Sequence, residues 1–129
     1  MMSSEVWAGK VDPYYNVVTE KAICLGTIEF NSLAEAFVKT IRLYNKNARK
    51  HLYDPQFIFR GKVYICSGIG LQSKTGRGYT NYWTTGKISA SKMPVTWGMK
   101  WKWIEEYALW IPKSKVNERD AVKYVTRTF

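Results

Sequence analysis

A capping signature followed by a long amphipathic repeat constrains this chain most. In Ser32-Leu33-Ala34-Glu35 the Ser hydroxyl can accept the backbone N–H of Glu35, while the Glu35 carboxylate reaches back towards the start of the helix. Leu33, Phe37, Ile41, Tyr44 and Ala48 then recur every three or four residues and share one helical face. Lys39, Arg42, Lys46, Arg49 and Lys50 fall on the opposite face. The pattern predicts a helix over about 32–50, closed before Asp54-Pro55 because the residue preceding a proline resists helical geometry. The apolar stripe has to be buried against something, and the segments around it are β-like. An α+β fold is therefore expected.

Those segments are read from their alternation and β-branched content. Glu5 to Val11 reads as a short strand stopping at Asp12-Pro13, and Val17 to Phe30 as a second, interrupted by Gly26. Phe57 to Leu71 is one strand or a pair broken by glycine. Tyr79 to Ala90 is another, joined to it in a hairpin by Ser73-Lys74-Thr75-Gly76-Arg77-Gly78. Val95 to Ile111 carries both periods. Val95, Trp97, Met99, Trp101 and Trp103 alternate as in a strand, whereas Trp97, Trp101, Ile104, Ala108 and Ile111 fit a helix. The reading adopted is a strand through about Trp103, then a helical or irregular turn ending at Pro112. Asn117-Glu118-Arg119-Asp120 reads as the start of a short helix with an Asn cap and early acids. The expected architecture is a twisted, mostly antiparallel sheet with the 32–50 helix on one face and a short C-terminal helix closing an edge, in a single domain over 1–129.

Composition narrows the function classes. With 46% hydrophobic and 23% charged residues, the chain has a folding composition rather than a disordered one. Its apolar runs are broken before the roughly 18 residues of a membrane helix. Its N-terminus lacks the basic start and apolar run of a secretory signal, so a cytoplasmic location is expected. Cys24 and Cys66 lie in apolar strand-like segments, and His51 is the single histidine; two buried, reduced thiols are expected, and a zinc site would lack ligands. The glycine-rich run from Ser67 to Gly78 has neither Walker nor dinucleotide spacing. No Asp/Glu cluster has the form of a two-metal centre. Neither a catalytic set, nor a metal, nor a cofactor is expected.

Twenty Lys and Arg against ten Asp and Glu give a net charge of +10, and six Trp, nine Tyr and five Phe accompany them. Cations neutralise phosphates and ring faces stack on bases, so the pairing suits a nucleic-acid surface. The helical stripe has only Glu35, at its N-terminal end, to offset its charge. Lys74 and Arg77 would form a basic hairpin tip, with Tyr79, Tyr82 and Trp83 beside it among the polar Thr80, Asn81 and Thr84 as candidate stacking rings. Lys100 and Lys102 would project from the face opposite the tryptophans.

Gly61-Lys62-Val63-Tyr64-Ile65-Cys66-Ser67 resembles the second conserved strand of the GIY-YIG nucleases, commonly Gly-Lys-Val-Tyr-Ile-Gly-Ser, with Cys66 in place of the family's glycine. The resemblance spans seven residues and implies a nuclease in which Arg77 and Glu105 take the roles of the helical arginine and the metal-holding glutamate. No Gly-Ile-Tyr strand lies just upstream, and Gly76 and Gly78 flank Arg77 where the family has a helix. The reading that accounts for more of the chain is a small, non-enzymatic nucleic-acid-binding protein, preferring single-stranded DNA or RNA with weak sequence preference. The alternative from another class is an interaction protein, such as a phage-type inhibitor, docking on an acidic partner surface. A third is a pocket of rings and cations for a free nucleotide.

Overall fold

The computed structural model describes the backbone of residues 1–11, 17–47, 50, 52–72, 79–88, 103–105 and 108–128, and the side chains of these except 10, 11, 17–21, 53, 69–72, 79–82, 87, 88, 103–105, 108 and 126–128. Among the described residues, every strand pairing is antiparallel. Strands β1 (Met2–Val11) and β2 (Val17–Phe30) form a hairpin, and the chain then enters helix α1 (Leu33–Lys46). It returns as β3 (Leu52–Phe59) on the other edge of β1. Helix α1 thus links two strands that flank β1, a split β-α-β arrangement that lays the helix across the sheet. Strands β4 (Lys62–Gln72) and β5 (Tyr79–Ile88) continue as a meander, with Gln72 opposite Tyr79. Strands β6 (Trp103–Glu105) and β7 (Ala108–Pro112) both run along β5, and β8 (Thr126–Thr128) pairs with β7. The order across the sheet is β2-β1-β3-β4-β5-β7-β8, with β6 beside β5.

The start of α1 follows its sequence signature. Ser32 is extended at the cap, its Oγ accepts the Glu35 N–H at 3.1 Å, and the Asn31 N–H reaches the Glu35 carboxylate. The end comes earlier than the expected 50. Asn47 caps the helix by donating its side-chain amide to the Leu43 carbonyl, while its backbone N–H bonds the Tyr44 carbonyl. These bonds satisfy carbonyls that another turn would have used.

Phe37, Ile41, Ala36 and Val38 of α1 meet Val6, Ile28, Phe30, Phe57, Tyr64, Cys66 and Ile111 of the sheet in one buried core. Rings dominate it. Phe57 stacks on Tyr64 at 5.6 Å and meets Phe30 edge-on at 6.4 Å. Burying one such ring contributes roughly 2–3 kcal/mol. Among the described residues, Phe30, Phe37, Phe57, Tyr64 and Trp83 are thus core rings. Val63 and Ile65 form a smaller buried cluster with Ile58.

Two glycines are required by their backbone. Gly26, at φ +141°, sits at a β-bulge where Val6 faces Gly26 but Trp7 faces Cys24, and α1 comes close through Leu43. Gly61, at φ +75°, follows Arg60, at φ +49°, in a two-residue turn between the paired Phe59 and Lys62.

Three expectations are corrected. Residues 108–112 are a strand rather than a helical or irregular turn: Leu109 and Ile111 are buried two residues apart, and Trp83 and Tyr82 of β5 pair with Ile111 and Pro112. An available sheet edge overrides the helix propensity of Lys102 to Trp110. The expected short C-terminal helix is a 3₁₀ helix, Ala121–Tyr124, capped at Asp120 rather than Asn117, and a 3₁₀ turn over Lys113–Lys115 precedes it. The i,i+3 ion pairs Lys115–Glu118 and Lys123–Asp120 match the three-residue period of these turns. Cys24, expected to be buried, is exposed on β2, while Cys66 is fully buried; both are free thiols. The expected strand over 95–102 and His51 lie outside the described residues.

Candidate functional site

The basic face of α1 is where the sequence placed its cations, and the structure separates them by what they hold. Lys39 Nζ is 2.9 Å from a Glu35 carboxylate oxygen and also donates to the Glu29 carbonyl. The lysine holds the Glu35 carboxyl below its usual range, burial opposing slightly. Arg42 donates from Nε to the Val116 carbonyl at 2.9 Å and from a terminal nitrogen to the Glu118 carbonyl. It is a brace between α1 and the C-terminal turns, not a free cation. Lys46 and Lys50 are exposed.

Helix and edge strand enclose a groove. Thr27, Ile28 and Glu29 of β2 form one wall, and Lys39, Arg42, Leu43 and Lys46 of α1 the other, around about 510 Å³. A second cleft of about 350 Å³ continues past Arg42 and Lys46 to Asn45 and Asn117. Lys39 to Lys46 spans seven residues, roughly 10 Å at 1.5 Å per residue, about three stacked nucleotides at 3.4 Å.

Among the rings offered for stacking, Trp83 is corrected: only 7% of it is exposed. Its ring meets Tyr44 of α1 edge-on at 5.5 Å, and Lys113 Nζ lies 5.2 Å from its centroid. Polar neighbours suggested exposure, but β5 turns Trp83 and Thr85 into the interior, where the Thr85 hydroxyl donates to the Ile65 carbonyl. Tyr79 and Tyr82 lie on β5 opposite Gln72 and Ile69, with their side chains outside the described set. Arg49, Lys74, Arg77, Lys100 and Lys102 also lie outside it.

Two groupings were not anticipated. Asp54, read only as a helix-ending residue before Pro55, accepts a hydrogen bond from Ser67 Oγ at 3.2 Å near Lys113. Burial pushes its carboxyl up to about 6, against the Ser67 bond and the Lys113 charge. Burial, helped by the Asp54 charge, also raises the Tyr44 phenol, whose hydroxyl donates to the Leu52 carbonyl at 2.7 Å. The second is a cleft of about 520 Å³ between the start of α1 and the β3–β4 turn, carrying Arg60 and Lys62. The Phe59-Arg60-Gly61-Lys62 turn was legible as a glycine break with basic flanks; the cleft depends on α1 arriving beside it. Among the described residues, no three His, Cys, Asp or Glu side chains group to hold a metal, and no helix is long and apolar enough to cross a membrane.

No protein-family model matches the chain, and comparison with curated proteins and with solved structures returned no match.

Proposed function

We propose that this protein binds nucleic acid without chemistry, drawing a single strand along the groove between β2 and α1. The observation that carries the reading is that groove, walled by Lys39, Arg42 and Lys46 and continued by Asn45 and Asn117. The net charge of +10 supplies a long-range field that draws in a polyanion. Phosphate contact falls to Lys46 and Lys50, with Asn45 and Asn117 as neutral donors. Sequence preference is weak, since phosphate contacts position a strand without reading it.

An acidic protein partner would fit the same charge, but such interfaces carry an apolar centre. Among the described residues, the exposed large hydrophobics are Met1, Val122 and Tyr124, which favours the nucleic-acid reading.

The test is fluorescence anisotropy with labelled single-stranded DNA, single-stranded RNA and duplex DNA between about 50 and 200 mM salt. Single strands bind most tightly, with affinity falling steeply with salt. Lys46→Glu with Lys50→Glu weakens all single strands and flattens the salt dependence, whereas Lys123→Glu, on the Ala121–Tyr124 turn, changes it less. Equal effects of the two charge reversals, or no binding at the low-salt end, overturn the proposal; the latter turns attention to an acidic protein.

A further inference from the structure

The cleft at the start of α1 differs from the helical groove in its chemistry. Ser32, Leu33, Phe59, Arg60, Lys62 and Tyr64 are among the residues that line it, and among the described residues no carboxylate does. Arg60 and Lys62 are both exposed, and neither forms an ion pair among the described residues, unlike Lys39. Arg60 is also held in place: its guanidinium lies over the Phe59 ring, 5.2 Å from the centroid. A guanidinium fixed on a ring face presents its donors with less freedom to lose on binding a planar or tetrahedral anion.

The backbone singles out the same residue. Both central residues of the β3–β4 turn have positive φ, 49° at Arg60 and 75° at Gly61. Such a turn favours Asn, Asp or Gly at its first central position, and a long side chain there is unfavourable. Arginine at Arg60 is therefore not explained by the turn. Its guanidinium in the cleft gives it a role.

We infer that this cleft binds a nucleoside monophosphate, with Arg60 and Lys62 on the phosphate and the base against Leu33 and the edge of Phe59. About 520 Å³ is within the range of small-ligand sites, about 300–1,000 Å³. Two adjacent cations match a phosphomonoester, and the half-buried Phe59 and Leu33 offer an apolar wall to a planar ring. The source of the phosphate is a free nucleotide or the phosphorylated end of a strand. The inference stands apart from the groove, which lies along the other side of α1 between Lys39 and Lys46.

The experiment is a titration of the full chain with adenosine monophosphate, followed by amide chemical shifts in two-dimensional NMR, with adenosine and inorganic phosphate as separate titrants. The nucleotide binds saturably and shifts the amides of Leu33, Ala34, Arg60 and Lys62, with adenosine and phosphate each at least about tenfold weaker. Arg60→Asn suits the positive φ, so the fold persists, yet it weakens nucleotide binding at least about tenfold. It leaves oligonucleotide binding that depends on Lys46 unchanged. Lys62→Gln weakens nucleotide binding in the same direction. No shift at these amides at about 10 mM nucleotide, well beyond a millimolar dissociation constant, overturns the inference. So does unaltered binding by folded Arg60→Asn, or adenosine binding as tightly as the nucleotide. A 5′-phosphorylated oligonucleotide that displaces the nucleotide better than its 5′-hydroxyl form identifies the strand end as the source; equal displacement identifies the free nucleotide, and either supports the site. Loss of oligonucleotide binding with nucleotide binding intact counts against the groove alone.

Discussion

Asp54→Asn separates burial from charge pairing at a carboxylate that burial holds protonated above its ordinary range. Burial raises the Asp54 carboxyl from its ordinary 3.8 to about 6, while Ser67 and Lys113 pull it down. The folded protein therefore holds a proton there that the unfolded chain releases. Stability from this group is fully present below about pH 4 and is lost as pH rises towards about 6. The gap corresponds to about 3 kcal/mol at about 1.4 kcal/mol per pKa unit, an upper figure because a partly hydrated carboxylate relaxes. Asn keeps an oxygen to accept the Ser67 hydroxyl but carries no charge. Urea unfolding of both proteins between pH 4 and 8 reports the difference, in which titrations independent of Asp54 cancel. With a urea slope of about 1–3 kcal/mol per molar for a small domain, the wild-type midpoint should fall by at most about 1–3 M relative to the variant across the window and then run parallel. A constant difference refutes the burial argument. A difference of opposite sign, with the wild type gaining as Asp54 ionises, means that Lys113 and Ser67 outweigh desolvation.

Arg42→Ala removes the donors to the Val116 and Glu118 carbonyls. It should cost about 1.5–3 kcal/mol, the range for hydrogen bonds to a charged group, and open the 113–124 segment to limited proteolysis before the core unfolds. The two thiols should separate in alkylation with iodoacetamide: exposed Cys24 reacts in the native protein, whereas Cys66, fully buried and with its thiol pushed far up by desolvation, reacts only on unfolding. Equal native rates would remove Cys66 from the core.

What was legible in the sequence is what local physics decides. The Ser32 cap spans four residues, and the hairpin of β4 and β5 follows from alternation and turn residues, so both could be read directly. The strand over 108–112 depends on the edge of β5, which no local window contains. Trp83 misled for a related reason: the polar Thr80, Asn81 and Thr84 near it read as solvent neighbours, but Trp83 points inward with Thr85, whose hydroxyl donates to the Ile65 carbonyl 20 positions away. Asp54 gave no signal, because its environment is assembled by Ser67 and Lys113 from β4 and the turn after β7. The cation stripe shows the limit most sharply. On a helical wheel, Arg42 and Lys46 are equivalent. Only residues 74 and 76 positions further on turn the first into a brace and leave the second exposed.

That division has a consequence for salt dependence that charge alone would not give. Each phosphate neutralised on a single strand contributes about −0.7 to the slope of log affinity against log salt. A stripe acting only through charge would have Lys39 and Lys46 contribute alike. Lys39 is already neutralised by Glu35 at 2.9 Å and held to the Glu29 carbonyl, so engaging a phosphate would mean giving up both. Exposed ion pairs are weak, worth under about 1 kcal/mol, but the second bond makes release less favourable than using a lysine that is already exposed. Lys46→Met should therefore flatten the slope by about 0.7, while Lys39→Met leaves it unchanged and slightly lowers stability. An equal flattening by both substitutions would mean that Lys39 abandons Glu35 when a strand arrives. The Glu35–Lys39 pair would then be a contact that binding exchanges rather than one the fold retains.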